Sequence, residues 1–204
     1  GAGGEVVNHL MLWNAEPTDI YPADTHPFDY EAEVRRISGF LYPDDTTREG
    51  KILRIKQQYF FSAAGVRDVI RQHLRHHDTL DNFAEKHVFQ INDTHPSLII
   101  PEMMRMFVDE HGYGWDEAWA ITRKPCAYTN HTLLAEALEK WPQDIMQPVL
   151  PRIYQIIEEI DRRFRIHLET VHGDDHGKLE SLAIISNGEV RMAHLSIVGS
   201  FSVN

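Results

Sequence analysis

The 204 residues include 20 lysines and arginines against 31 aspartates and glutamates, a formal charge of −11, with 42% hydrophobic and 10% aromatic residues. That apolar content excludes a disordered or low-complexity chain, and the acidic balance excludes a general nucleic-acid binder, which holds phosphates through a cationic excess. No apolar stretch approaches the ~20 residues of a membrane span; the single cysteine, Cys126, forms no internal disulfide or multi-cysteine zinc site and suits a reducing compartment, so a cytoplasmic protein is expected.

Gly1-Ala2-Gly3-Gly4 reads as an added remnant, and residues 6–13 open at once as apolar, strand-like sequence that needs a neighbour to pair with. The other terminus, Leu195 to Asn204, is apolar almost to its last residue, and an excised piece of something longer is the preferred reading. Leu41-Tyr42-Pro43-Asp44-Asp45-Thr46-Thr47 reads as a proline-initiated turn whose Asp and Thr residues cap the following helix; as a loop with two carboxylates it also suits a mobile gate. From Gly50 to His77, Ile52, Ile55, Tyr59, Ala63, Val66, Ile70 and Leu74 recur at spacings of three and four, the stripe of an amphipathic helix. Near its end His73, His76 and His77, interleaved with Arg71 and Arg75, read as a solvated face complementing the helix C-terminus.

Val88 to Ile91 is a short strand candidate, followed after Asn92-Asp93-Thr94-His95-Pro96 by a helix ending near Gly112, with Asp93 or Thr94 as its cap. Trp115 to Thr122 is a second short helix, Cys126 to Tyr128 another strand, and residues 133–141 a further helical run, so the unit strand, polar cluster, helix repeats. Arg152 to Val171 fits a helix of about twenty residues, ~30 Å long. Asn187-Gly188 between β-permissive flanks signals a hairpin. One α/β unit over residues 1–204, helix-rich with a few short strands, accounts for the pattern.

Both strand candidates end in the same residue set: Asn92, Asp93, Thr94 and His95 after one, Thr129, Asn130, His131 and Thr132 after the other. Open α/β sheets bind ligands beyond the carboxyl ends of their strands. Parallel neighbours would therefore turn both clusters toward one crevice. Short bifunctional donors and acceptors suit sugar hydroxyls. They suit phosphate poorly, having no Lys, Arg or glycine-rich loop. Other readings stay open: Asp93, Thr94, Asn130 and Thr132 as caps or turn residues, and His95 and His131 as structural histidines. A metal site is disfavoured because neither cluster holds a His-x-x-x-His pair. For paired-carboxylate hydrolysis the candidates are Asp45, Asp93, Glu136 and Glu139, with nothing to fix their separations. Cys126, inside a strand, makes a poor nucleophile.

Taken together, Ile91-Asn92-Asp93-Thr94-His95-Pro96 with Pro101-Glu102, then Ala127-Tyr128-Thr129-Asn130-His131-Thr132 with Glu136-Ala137-Leu138-Glu139 and Trp141-Pro142, resemble the glycogen and maltodextrin (α-glucan) phosphorylases. The likeness continues through residues 53–60, Leu150-Pro151-Arg152 and residues 192–200, and spans nearly everything from Val6 to Asn204. The resemblance implies an α/β fold, part of the N-terminal Rossmann-like domain of a two-domain glycosyltransferase. It also implies an enzyme that moves the terminal α-1,4-linked glucosyl unit of a glucan onto inorganic phosphate, giving glucose 1-phosphate. The pyridoxal 5′-phosphate of that family sits on a lysine of the C-terminal domain, whose Glu-Ala-Ser-Gly-Thr-Gly-Asn marker does not occur here. The isolated chain is therefore expected to be inactive, and the parent to be a homodimer.

Carried over by position, His131 resembles the histidine that contacts the glucosyl unit at the reacting centre. Asp93 and His95 resemble residues of the pocket wall, and Asp45 the aspartate of a gate loop in which Thr46 stands where many relatives have asparagine. Thr132 and Glu139 resemble residues that support the substrate-binding wall. The alternatives to be separated from this reading are an α-glucan hydrolase, using Asp93 and a glutamate as acid and base, and a non-catalytic carbohydrate-binding or regulatory module. The apolar segment at 195–204 is a place where the piece may self-associate.

Overall fold

The computed structural model describes residues 3–4, 9–20, 22–23, 25–132 and 134–204, which fall into two compact units, Gly1–Leu41 and Tyr42–Asn204. The first unit holds one helix, α1 (Pro27–Gly39), with proline at its start, where a missing N–H costs nothing. Ser38, in its last turn, ties down the chain that precedes it: its hydroxyl donates to Asn14 Oδ1 at 2.7 Å and accepts from the Ala15 N–H at 3.0 Å. The strand expected at 6–13 is not formed over its described residues 9–13, which have no ladder partner; residues 5–8 lie outside the described residues.

The second unit begins with α2 (Arg48–His73), capped by the Thr47 hydroxyl, which accepts from the Gly50 N–H at 3.0 Å. Its inner face buries Leu53, Ile55, Val66 and Ile70, whereas Leu74 lies past the helix end and is exposed. The run at its C-terminus is a solvated face only in part: Arg71, Arg75 and His76 are exposed and His77 is half-buried, but His73 turns inward. His73 is 2% exposed, with Nε2 on the Thr79 carbonyl and Nδ1 on His87 Nε2, both at 3.0 Å. Residues 79 and 87 come round to meet it, a contact that spacing along the helix cannot reveal.

A short α3 (Phe83–Lys86) leads to β1 (Phe89–Asn92). Next come α4 (Ile99–Arg105), a widened π turn at Met106–Glu110, α5 (Trp115–Arg123) and β2 (Cys126–Thr129). The strands are parallel in register, Phe89 against Cys126 and Asn92 against Thr129, and β6 (Ser202–Val203) adds on the far side of β2. Helix α4 packs against α2, α5 and α7 (Pro151–His172) and is buried from Ile99 to Met104. Its one buried charge, Glu102, 1% exposed, meets Arg105 Nε and Nη2 at 2.8 Å and the Tyr59 hydroxyl at 3.0 Å. A buried carboxylate needs such pairing to offset desolvation. Asp93 and Thr94 do not cap α4: the chain first makes a turn in which Ser97 donates through both N–H and hydroxyl to the Thr94 carbonyl, and α4 starts five residues later with no side-chain cap.

The helix expected at 133–141 is absent. Ala135–Ala137 form a single 3₁₀ turn and Lys140–Pro142 a strand, β3; Leu133 lies outside the described residues. The reason is a partner distant in sequence: Trp141 pairs with Val190 of β5 (Glu189–Arg191), which also pairs with β4 (Ile185–Ser186). Asn187 (φ 53°) and Gly188 (φ 76°) make the tight turn between β4 and β5, as the Asn-Gly signal predicts. The repeated strand, cluster, helix unit therefore holds only once. Helix α6 (Gln143–Val149) precedes α7, whose buried Ile153, Ile156, Ile157, Ile160 and Leu168 confirm its stripe, while Val171 is exposed. Helices α8 (His176–Leu182) and α9 (Met192–Val198) complete the unit. The core joins Ile55 and Val66 of α2, Ile91 of β1, Phe107 of the π turn, Tyr128 of β2 and Leu195 of α9. The fold is α/β and helix-rich, with few and short strands. Among the described residues no helix is long and apolar enough to cross a membrane.

Candidate functional site

Because β1 and β2 are parallel neighbours, both polar clusters emerge at one end of the sheet. Asp93 turns the first corner at φ 58°, a left-handed conformation that Asp and Asn adopt more readily than other side chains. Its N–H donates to the Thr129 carbonyl at 2.9 Å, and its Oδ1 accepts the N–H of His131 at 2.8 Å. Asp93 thus staples the backbone of the second corner, leaving the His131 side chain exposed beyond the strand end. Asn130 donates its N–H to the Asn204 carbonyl at 2.9 Å and its amide nitrogen to the Thr132 carbonyl at 2.8 Å. The Thr132 hydroxyl accepts from the Leu134 N–H at 3.1 Å, so it shapes its own turn.

Glu139 is the hub of the neighbouring cavity. Its carboxylate accepts from Arg54 Nε (3.1 Å) and Nη2 (2.9 Å), Gln58 Nε2 (2.8 Å) and Thr94 Oγ1 (2.7 Å). His95 Nδ1 lies 3.3 Å from both Arg54 Nη2 and Glu139 Oε1. Burial pushes the Glu139 carboxyl up, but the hydrogen bonds from Thr94 and Arg54 and the charges of His95 and Arg54 outweigh it and hold the group below its ordinary value. Around this hub is a cavity of about 400 Å³. Asp45, Lys51, Arg54, His95, Glu136 and Trp141 line it together with Glu139. Asp45 reaches Arg54 Nε at 3.6 Å. Gln58 Oε1, Trp141 Nε1 and Tyr128 Oη are among the buried polar atoms that have no hydrogen-bond partner among the described residues. The Tyr128 hydroxyl is pushed up first by burial and then by the charges of Asp93 and Glu139.

The structure thus brings Asp45, His95 and Glu139 into one cavity, and Asp93 and His131 into direct contact beside it through the chain of Asp93, Thr94 and His95. Asp93, His131 and Thr132 do not line the cavity itself. The sequence does not mark Arg54, Gln58 and Lys51 as site residues, and it leaves Thr94 readable either as part of the strand-end polar cluster or as a cap. The missed signal was spacing: Lys51, Arg54 and Gln58 lie three and four apart, a polar stripe on α2 beside its apolar one. A general acid for hydrolysis needs a raised carboxyl. Glu139 is lowered, and Asp93 is committed to the His131 N–H. Burial pushes the Cys126 thiol up to about 12, so it is no nucleophile. Among the described residues no three histidine, cysteine, aspartate or glutamate side chains group closely enough to hold a metal ion.

The family model described as carbohydrate phosphorylase matches residues 1–204. Among known proteins, the chain is 48% identical over 198 residues to the glycogen phosphorylase of Bacillus subtilis (strain 168), covering 97% of this chain and 25% of that protein. It is 42% identical over 237 residues to the alpha-glucan phosphorylase, H isozyme, of Triticum aestivum, covering 100% and 28%. To the muscle form of glycogen phosphorylase from Mus musculus it is 42% identical over 222 residues, covering 100% and 26%. The chain therefore spans about a quarter of the length of these relatives.

Proposed function

The chain belongs to the carbohydrate phosphorylase family, and on that premise we propose that it supplies the glucosyl-binding wall and gate loop of an α-glucan phosphorylase, which transfers a terminal α-1,4-linked glucosyl unit to inorganic phosphate. The observation that carries this reading is the stapled pair of corners: Asp93 Oδ1 fixes the His131 backbone at 2.8 Å while the adjoining Thr94 and His95 converge on Glu139. A sugar ring needs several hydrogen-bonding groups held at fixed angles, and a rigid strand end provides them without ordering cost at binding.

In this reading His131 is the catalytic residue, hydrogen-bonding the glucosyl unit as positive charge develops on the ring. Asp93 and His95 form the wall and Asp45 gates the cavity. Glu139 holds Arg54, Gln58 and Thr94 in place, and Thr132 acts through the turn it closes. The hydrolase alternative asks a carboxyl such as Glu139 to donate a proton, which its hydrogen bonds from Thr94 and Arg54 oppose. Pyridoxal 5′-phosphate belongs to the family. The residues here do not make its site: none of the described lysines is buried, and the two at the cavity, Lys51 and Lys140, meet the Asp45 carbonyl and Glu189. We assign the cofactor, and the phosphate chemistry it supplies, to the part of the enzyme outside these 204 residues; residues 1–204 then form one α/β piece of its N-terminal catalytic domain, in a cytoplasmic homodimer.

The test is product analysis on the enzyme that carries this chain. Phosphate-dependent release of glucose 1-phosphate from maltooligosaccharide supports the reading, and phosphate-independent glucose overturns it. His131→Ala is expected to cost about 2 kcal/mol or more of transition-state stabilisation, roughly 30-fold in kcat; an unchanged kcat removes His131 from the chemistry.

A further inference from the structure

We propose that Arg54 is a positioning residue that couples the loop at 42–47 to the strand-end corner, so that the place of Asp45 at the cavity mouth depends on how Glu139 holds the guanidinium. This rests on the functional reading above for its consequence in catalysis, though not for its geometry. A guanidinium is a planar fork able to serve two carboxylates at once. Here one nitrogen is shared: Arg54 Nε lies 3.1 Å from Glu139 Oε1 and 3.6 Å from Asp45 Oδ2. The two ends are unequal. The Glu139 side chain is 12% exposed and takes a second Arg54 nitrogen at 2.9 Å, while the Asp45 side chain is 50% exposed and takes none. The inner contact anchors Arg54 and the outer one can let go.

The loop itself is built to rest on this part of α2. Gly50 has no side chain because the Asp44 carbonyl oxygen lies 1.7 Å from where its Cβ would stand. Asp44 spends its carboxylate on the Thr46 N–H and hydroxyl, at 3.0 and 2.6 Å. Asp45 is therefore the carboxylate left to face the cavity, with the Lys51 ammonium donating to its carbonyl and Arg54 beside its side chain. His95 touches the same fork at 3.3 Å. A substrate that rearranges His95 or Glu139 accordingly changes what Arg54 offers to Asp45, and the loop reports the state of the wall.

The test is a double-substitution cycle in the enzyme that carries this chain, using Asp45→Asn and Arg54→Gln. The glutamine keeps a hydrogen bond for Glu139 and removes the charge that Asp45 needs. Hydrogen exchange of the peptide spanning 42–49 is expected to rise about two- to threefold in each single variant, the range of an exposed ion pair, and no further in the double variant. Arg54→Lys, which keeps the charge, is expected to exchange as the wild type does. KM for glucan should rise by a common factor in both single variants, with kcat changing less. Multiplying effects in the double variant, or unchanged loop exchange in Arg54→Gln, overturn the coupling. The exchange cycle needs no turnover, so a wild-type enzyme that makes no glucose 1-phosphate sinks the functional reading while leaving this one to its own result.

Discussion

Replacing Glu139 with alanine removes one carboxylate and orphans four donor groups from three residues at once. Breaking a fully buried ion pair costs about 3–5 kcal/mol. Here the Glu139 side chain is 12% exposed and that of Arg54 21%, and Asp45 remains at 3.6 Å to take up part of the charge. Screening by that exposure lowers the figure to about 2–3 kcal/mol, with the Thr94 hydroxyl, now unpaired at a position 4% exposed, contributing to it. The cost falls locally, on the loops after β1 and β2, so native-state hydrogen exchange across residues 126–141 is the appropriate assay. Exchange should accelerate roughly 30- to 150-fold, since about 1.4 kcal/mol is a factor of ten. Glu139→Gln, which keeps an acceptor for the Gln58 and Thr94 donors, should lose less. An acceleration under about threefold in the alanine variant would show that the carboxylate is not the group holding the wall together.

Gly50→Ala drives a methyl group into the Asp44 carbonyl and should destabilise the loop and first turn of α2 by about 1–3 kcal/mol; a thermal midpoint equal to wild type contradicts the capped geometry. Cys126, buried with its thiol pushed up to about 12, should resist iodoacetamide at mildly alkaline pH until the protein unfolds, and rapid labelling of native protein would refute its burial. Hydrogen bonding by Arg162, followed by Arg163, holds Glu159 at about 2, and Glu139, Asp109 and Glu110 also lie below their ordinary values. Groups depressed in the folded state stabilise it fully above their unfolded values and lose that contribution as pH falls through the folded ones. The thermal midpoint should therefore drop steadily below about pH 4.5, the ordinary glutamate value, toward about pH 2; a flat profile there would contradict these pairings.

How much of this the sequence discloses depends on how local each determinant is. The long helices α2 and α7 carry their stripes in consecutive residues, and their buried isoleucines appear where the spacing puts them. The Asn187-Gly188 turn is equally local. By contrast, Glu136-Ala137-Leu138-Glu139 has good helix formers but yields to two distant demands: Trp141 pairs with Val190, and Glu139 turns toward Arg54, Gln58 and Thr94. Propensity is worth only tenths of a kcal/mol per residue, less than either contact. The site was legible as residue types at two strand ends, because parallel pairing makes those ends neighbours. The cavity, however, is walled by α2, whose polar stripe carries no mark of what lies opposite. Likewise His73 looks solvent-facing until Thr79 and His87 fold back over it.

On the function proposed above, the corner stapled by Asp93 presents His131 to a glucosyl unit. A structure of the enzyme carrying this chain, with a maltooligosaccharide spanning the reacting bond, tests it most directly. A sugar hydroxyl is expected at hydrogen-bond distance from His131, about 2.7–3.2 Å, with Asp93 still accepting the His131 N–H. A glucan seated with its terminal ring away from both corners would contradict it.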